Sequence, residues 1–411
     1  MPAVAPRRGG TPAPGSRHRT IDRLRDLQLA EGAVPLGLAT GALVLAHWSP
    51  AGAPAAPSNV GWTLWLVAMI LACAFRAMSH ADTLAEHFGE PLGTLLLTVS
   101  AITIEVAAVC AVMLGSEGDS AVARDTMFSV LMLILNLLLG SVMLVGGLRR
   151  PEQEFNAQST GMYLPLVIAL GTITLILPRF TTSERGGWMS DPMEVFVAVA
   201  SFVIYGMFVA MQTTRHRDFF AYHGTSERSA DAEALAEHAQ AEAGTARSLA
   251  TSIALLVLSL VAVVCIAEGL AGRVKSLLHA TGAPGVVGGI FIAGLVLAPE
   301  ALAALRASAR DDMQRSVNIL LGSALSTIGL TVPAVIGIRF LTDATPEFGL
   351  DPPYIVLLAA TFLITAVNLG RGRVNAMQGV VHLLLFFAWL ATVLDEAAAK
   401  ALQALPTNLG G

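Results

Sequence analysis

Two carboxylates sit where a hydrophobic chain least accommodates charge. Glu105 interrupts an otherwise uncharged run from Pro91 to Ser116, and Glu300 follows a stretch from Ser276 onward without Asp, Glu, Lys or Arg. Carboxylates this deep in an apolar run mark ion pathways or proton relays when the run lies in a bilayer. A single one reads equally well as a protonated structural residue bonded to the backbone. Two at matching places in a chain favour function. In one low-dielectric site they cannot both stay bare, because repulsion and desolvation act together. Such a site takes up protons when empty and gives them up when a cation enters, so protons and cation compete for the same oxygens. If only the loaded or the protonated form reorients, one is exchanged for the other.

Nearby residues offer further oxygens. Thr94, Thr98 and Glu105 fall on one helical stripe, and Gly285, Gly288, Gly289, Ala293 and Gly294 lead up to Glu300. Small residues of this kind let neighbouring helices approach closely. Pro299 lacks an amide hydrogen and disturbs the turn before it, which predicts an unpaired carbonyl at Leu295. A free carbonyl beside a carboxylate is a hard oxygen site for Ca²⁺ or an alkali cation. Asn136 is an amide in a hydrocarbon run, and Ser323, Ser326 and Thr327 form a hydroxyl cluster in a later one. Gly322, Ser326 and Gly329 read equally well as a packing face.

At the margins, Glu268 ends a predicted span near the outer surface, as an interfacial anchor or an outer-gate acid. His80 and Glu86 at the inner end of another span either collect protons or belong to a solvated helix end. His382 reads as a bonded structural histidine, and Cys73, Cys110 and Cys265 as packing residues. The chain shows no nucleotide loop, zincin motif or nucleophile elbow. It is therefore not expected to be an enzyme or to hold a cofactor, and ions enter only as cargo.

The elements that must position these residues follow from composition. Of 411 residues, 54% are hydrophobic and 13% charged, against about 25% charge in soluble domains. That excludes an ordinary soluble enzyme, a disordered chain and a disulfide-stapled secreted domain. At about 20 residues per span the apolar content suffices for about eleven membrane helices, the form in which a backbone satisfies itself in lipid. A net charge of −5 gives no basic field for nucleic acid. The expected partners are the lipid bilayer and the transported cations and protons, and the oligomeric state is left open.

Charges and Pro/Gly clusters divide the chain into spans near 33–48, 60–79, 91–114, 125–147, 161–181, 192–213, 248–268, 284–308, 315–339, 352–369 and 375–395. With the N-terminus inside, eighteen of the 25 basic residues lie on inner segments and seven on outer ones, as the positive-inside rule requires. The C-terminus is then outside. The predicted organisation is a disordered cytoplasmic tail (1–31), a leading helix and loop (32–59), a first five-helix half (60–213), an acidic cytoplasmic linker (214–247), a second five-helix half (248–395) and a C-terminal tail (396–411). Five helices per half force the halves into opposite orientations, the inverted repeat of secondary transporters. Glu105 and Glu300 each occupy the second helix of a half.

At these residues the sequence resembles the calcium–cation antiporter superfamily, in its bacterial branch of calcium–proton and sodium/potassium–proton antiporters. The resemblance rests on His80-Ala-Asp-Thr-Leu-Ala-Glu-His-Phe-Gly-Glu-Pro-Leu-Gly-Thr continuing through Thr98 to Glu105, on Leu297-Ala-Pro-Glu-Ala-Leu-Ala-Ala-Leu-Arg-Ala, and on Gln314 to Thr327. It implies a cation held between two inverted halves, with Glu105 and Glu300 as paired carboxylates. It further implies that Asn136, Ser323 and Ser326 stand beside the cation and that Asp82 is an acid of the gating helix. The calcium-exchanger branch has Gly-Asn before each Glu and a His after the second. Here Ala101-Ile102, Leu297-Ala-Pro and Ala301 stand there, which keeps Na⁺ or K⁺ open as substrates. The expected function is Ca²⁺ export, with Na⁺ or K⁺ as alternative cargo, in exchange for H⁺ across a bacterial inner membrane. A channel or uniporter without proton coupling is the alternative.

Overall fold

Runs of Leu, Val, Ile and Ala without charge close their own hydrogen bonds as helices, and in the computed structural model these runs are helical. The structure describes residues 32–45, 57–88, Ser100, Ile102, Thr103, Glu105, Val106, Val109, 121–213, 249–281, 285–341 and 345–403. Helix α1 spans Ala33–Leu45, α2 Pro57–Phe88, α3 Val122–Gly147, α4 Ala157–Phe180 and α5 Asp191–Thr213. Helix α6 follows at Leu249–Thr281, then α7 at Gly285–Val296 and α8 at Ala298–Ala309. Helices α9 (Met313–Leu341), α10 (Pro352–Leu369) and α11 (Ala376–Gln403) complete the chain. Among the described residues eight helices are long and apolar enough to cross a bilayer, or nine with α7 and α8 taken as one span. The expected span near 91–114, the tail 1–31 and the linker 214–247 fall mostly or wholly outside the described residues.

Three helices run past their expected ends. Helix α2 continues to Phe88 rather than 79, α6 to Thr281 rather than 268, and α11 to Gln403 rather than 395. Hydropathy marks where lipid ends, whereas a helix ends at a breaker, and no Pro follows within these extensions. Two readings change as a result. Arg76, counted among the inner-segment charges, lies within the membrane-length part of α2, Val60–Ala81. Glu268 lies inside α6 rather than at its end.

The helices form two apolar bodies. Leu66, Ile70, Cys73 and Ala77 of α2 pack with Ala262, Val263 and Ile266 of α6 and with Ile292 and Val296 of α7. Helix α1 lies against this pair, its Gly37 facing Cys73 and its Gly41 facing Cys265. The larger body gathers α3, α4, α5, α8, α9, α10 and α11 around Phe128, Leu135, Tyr163, Leu325 and Trp389, and α7 joins it as well through Val286 and Ala293. An outward belt of exposed apolar side chains, including Phe202 at 61%, Val356 at 67% and Leu384 at 66%, is the face such a bundle turns to lipid.

Braces at opposite ends of the bundle join the halves. At one end β1 (Gln153–Glu154), between α3 and α4, pairs antiparallel with β2 (Arg373–Val374), between α10 and α11. There Gln314, opening α9, accepts from Asn156 N at 2.6 Å and donates to Ser159 Oγ at 2.9 Å. At the other end, amides of Phe348 and Gly349, between α9 and α10, donate to Gly187 O, between α5 and α4, at 3.1 and 2.8 Å. There Arg124, opening α3, pairs with Glu347 at 2.5 Å and Asp125 at 2.9 Å and donates to Gly349 O. Each brace joins a loop of the first half to one of the second, and the roles of the halves are swapped between the two ends.

Candidate functional site

Pro299 determines how Glu300 is presented. Helix α7 stops at Val296, Leu297 makes the turn, and α8 leaves at 59° with Glu300 in its first turn. The expected disturbance before Pro299 is thus a full break, and it places the carboxylate at a helix start, where the dipole favours negative charge. Gly289 on α7 is tightly placed: a Cβ there would meet Asp125 O and Ser129 Oγ of α3, both at 3.1 Å. Among the described residues a Cβ at Gly294 would meet nothing within contact distance.

Asn136 and Thr327 both lie in π-turns, Leu133–Leu138 of α3 and Thr327–Thr331 of α9. A π-turn widens the helix by one residue, leaves backbone groups without their usual partners and recurs at functional sites. Asn136 is fully buried, and its Nδ2 donates to Thr361 Oγ1 of α10 at 2.9 Å. Thr361 already gives its own proton to Leu357 O at 2.8 Å, so its oxygen can only accept from the amide. That fixes the amide's orientation and, among the described residues, leaves Asn136 Oδ1 buried with no hydrogen-bond partner.

Thr327 joins the halves at the level of the acids. Its hydroxyl bonds Glu105 Oε1, with the carboxylate 5% exposed, and lies 2.8 Å from Ser323 O. A hydroxyl has one proton. When Glu105 is ionised, that proton goes to Glu105; when Glu105 is protonated, Glu105 donates and Thr327 turns its own proton to Ser323 O. The hydrogen-bond direction at Thr327 therefore follows the protonation of Glu105. Ser326 Oγ donates to the same Ser323 carbonyl at 2.9 Å, so Ser323 enters through its backbone.

Glu300 Oε2 is a second buried oxygen without a partner, and the charges of Glu300 and Glu105 reach one another. The π-turn of α3 touches α7, α8, α9, α10 and α11, which brings Asn136's segment to the helices of Glu300, Ser326 and Thr361. An unpaired buried acceptor costs about 1–3 kcal/mol, so each of these two oxygens calls for a partner. Among the described residues no group of three or more His, Cys, Asp or Glu gathers.

Thr98 lies outside the described residues, as do the side chains of Asp82, Glu86 and Glu268. His80 is buried beside Arg76, 3.3 Å from its Nη2, and is not at a solvated helix end. His382 is fully buried, with its ring against the Leu135 carbonyl in the π-turn of α3 and beside the close crossing at Gly140. Sequence reasoning missed Thr361 and Tyr205. Tyr205 of α5 lies within electrostatic reach of Glu105 and packs on Gly329, where a Cβ would meet it at 2.8 Å.

Residues 58–214 and 251–394 match the family described as sodium/calcium exchanger protein. The chain is 35% identical over 359 residues to y4hA of Sinorhizobium fredii, named for ionic transport, covering 87% of this chain and 94% of that protein. It is 33% identical over 324 residues to the sodium-potassium/proton antiporter ChaA of Escherichia coli, covering 79% of this chain and 86% of that one. The fold is similar to the solved structure of the H⁺/Ca²⁺ exchanger CAX, with TM-score 0.64, 15% identity and 93% of each chain covered.

Proposed function

Because the chain belongs to the sodium/calcium exchanger protein family, we propose that it is a cation–proton antiporter that exports Ca²⁺, with Na⁺ and K⁺ as competing cargo. The observation that carries this reading is the buried bond between Thr327 and Glu105, set beside the unpaired oxygens of Glu300 and Asn136. The cation would sit between the two carboxylates, with Asn136 Oδ1 and the hydroxyls of Thr327 and Ser326 as neutral ligands. Its entry expels protons from Glu105 and Glu300, and its departure obliges them to re-protonate. Two acids with neutral oxygens give a low ligand charge, which goes with weak Ca²⁺ binding and admits monovalent ions. The 33% identity to an antiporter named for sodium and potassium supports the same breadth.

The swapped braces support an inverted repeat, and the separate body of α1, α2 and α6 supports movement of those helices against the rest to alternate access. The bacterial relatives support an inner bacterial membrane, and the charge bias supports an N-terminus in the cytoplasm and a C-terminus outside. The test uses purified protein in liposomes with an imposed pH gradient. Added Ca²⁺, Na⁺ or K⁺ should discharge the gradient, and Glu105→Gln or Glu300→Gln should slow discharge about a hundredfold, equivalent to roughly 2.7 kcal/mol of barrier. Wild-type exchange in both variants would falsify the carboxylate mechanism. Ion flux that ignores the pH gradient would identify a channel or uniporter instead.

A further inference from the structure

A pocket of about 330 Å³ opens where α1, α2 and α6 meet, lined by Val34, Leu38, Leu255, Leu258, Arg76 and His80. Its walls are apolar apart from the last two. Arg76 is only 9% exposed. Among the described residues its Nε is buried without a hydrogen-bond partner, and its Nη2 lies 3.3 Å from the imidazole of His80. Among the described residues no carboxylate forms an ion pair with it. A guanidinium cannot shed its proton to relieve burial, and an uncompensated buried charge is strongly unfavourable. The position calls for an anion.

Its location says which kind. Arg76 lies five residues from the end of the membrane-length segment Val60–Ala81, about 7–8 Å along a helix axis. Val34 is the second residue of α1 and Leu255 lies in the second turn of α6. The charge therefore lies at the depth where headgroups meet acyl chains, and Leu258, 40% exposed, opens the pocket sideways toward lipid. A soluble anion would gain nothing from walls of Leu and Val, whereas a phosphate carrying hydrocarbon fits both parts.

We propose that this pocket holds one anionic phospholipid, with its phosphate on Arg76 beside His80 and its chain along Leu38, Leu255 and Leu258. The lipid would clamp α1, α2 and α6 into one unit. The site is separate from that of Glu105 and Glu300, and the proposal stands whichever ion is transported.

The test is thermal unfolding of the purified full chain in a neutral detergent, titrated with phosphatidylglycerol, phosphatidylcholine or inorganic phosphate. Phosphatidylglycerol should raise the Tm by several degrees, since a ligand that binds only the native state stabilises it by mass action. Phosphatidylcholine and inorganic phosphate should leave it unchanged. Arg76→Gln should abolish the shift. Leu258→Trp fills the pocket while keeping the charge and should abolish it too, so the result does not depend on how well the Arg76 variant folds. An equal shift with phosphatidylcholine or with inorganic phosphate, or a full phosphatidylglycerol shift in Leu258→Trp, overturns the proposal.

Discussion

Thr361 touches no acid, yet it determines which atom Asn136 offers. Its proton goes to Leu357 O and its oxygen receives Asn136 Nδ2, so the amide oxygen is left for a cation. Thr361→Val removes that acceptor and lets the amide turn. Half-saturating cation concentration should rise about tenfold, the equivalent of one hydrogen bond of roughly 1.4 kcal/mol, with maximal rate nearly unchanged. Thr361→Ser should restore the original value, which a packing effect would not do. Initial-rate transport assays across cation concentrations separate the two. Glu105 and Glu300 were legible in the sequence because charge stands out in hydrocarbon. Asn136 was legible for a similar reason. Thr361 was not, because a Thr bonded to the carbonyl four residues back reads as an ordinary membrane-helix residue, and its second bond crosses 225 positions of chain. Tyr205 escaped notice on the same ground, as one aromatic in an apolar run.

Among the elements, α3 and α9 show what patterning resolves and what it does not. Their uncharged runs gave the spans within a few residues. The π-turns at Leu133–Leu138 and Thr327–Thr331 have no signature in hydrophobicity, because an extra residue per turn changes no side-chain type. Pro299 anticipates a disturbed turn within one span, but not the 59° bend between α7 and α8. Element ends hold a further test. Arg124 is 6% exposed and joins α3 to Asp125, Glu347 and Gly349. Removing one partner of a buried pair costs about 3–5 kcal/mol, so Arg124→Gln should lower unfolding stability by that order in detergent. Exchange per folded molecule should be kept, since the brace lies away from the acids. Burial pushes the Glu347 carboxyl above its ordinary range, although the Arg124 guanidinium pulls it down. A raised acid costs stability as pH climbs through its folded value, so Glu347→Gln should be much milder than Arg124→Gln at neutral pH. The same denaturation series checks both.

For the whole molecule, one site serving two cargoes has a kinetic signature. Protons on the loading side compete with the cation for the same oxygens, so the half-saturating cation concentration should rise as that side is acidified. In the fully competitive range the rise approaches tenfold per pH unit for one displaced proton, while maximal rate stays constant. Liposome uptake at several external pH values, with the internal buffer fixed, measures this. A fall in maximal rate without change in half-saturation would place the protons elsewhere. The order of the described helices was readable from the apolar runs. The division into two apolar bodies was not, because it depends on which helices touch and every span is about equally apolar.

The braces at the two ends carry a consequence for how the chain can be assembled. Strand pairing joins β1 to β2 on one side, and Gly187 holds Phe348 and Gly349 on the other, so the halves are fastened through their folded surfaces. The braces predict that covalent continuity between 213 and 249 is dispensable. Two co-expressed polypeptides, 1–230 and 231–411, should co-purify through a tag on one of them and exchange cations together. Each expressed alone should yield no transport. The active unit is in effect a heterodimer written as one chain.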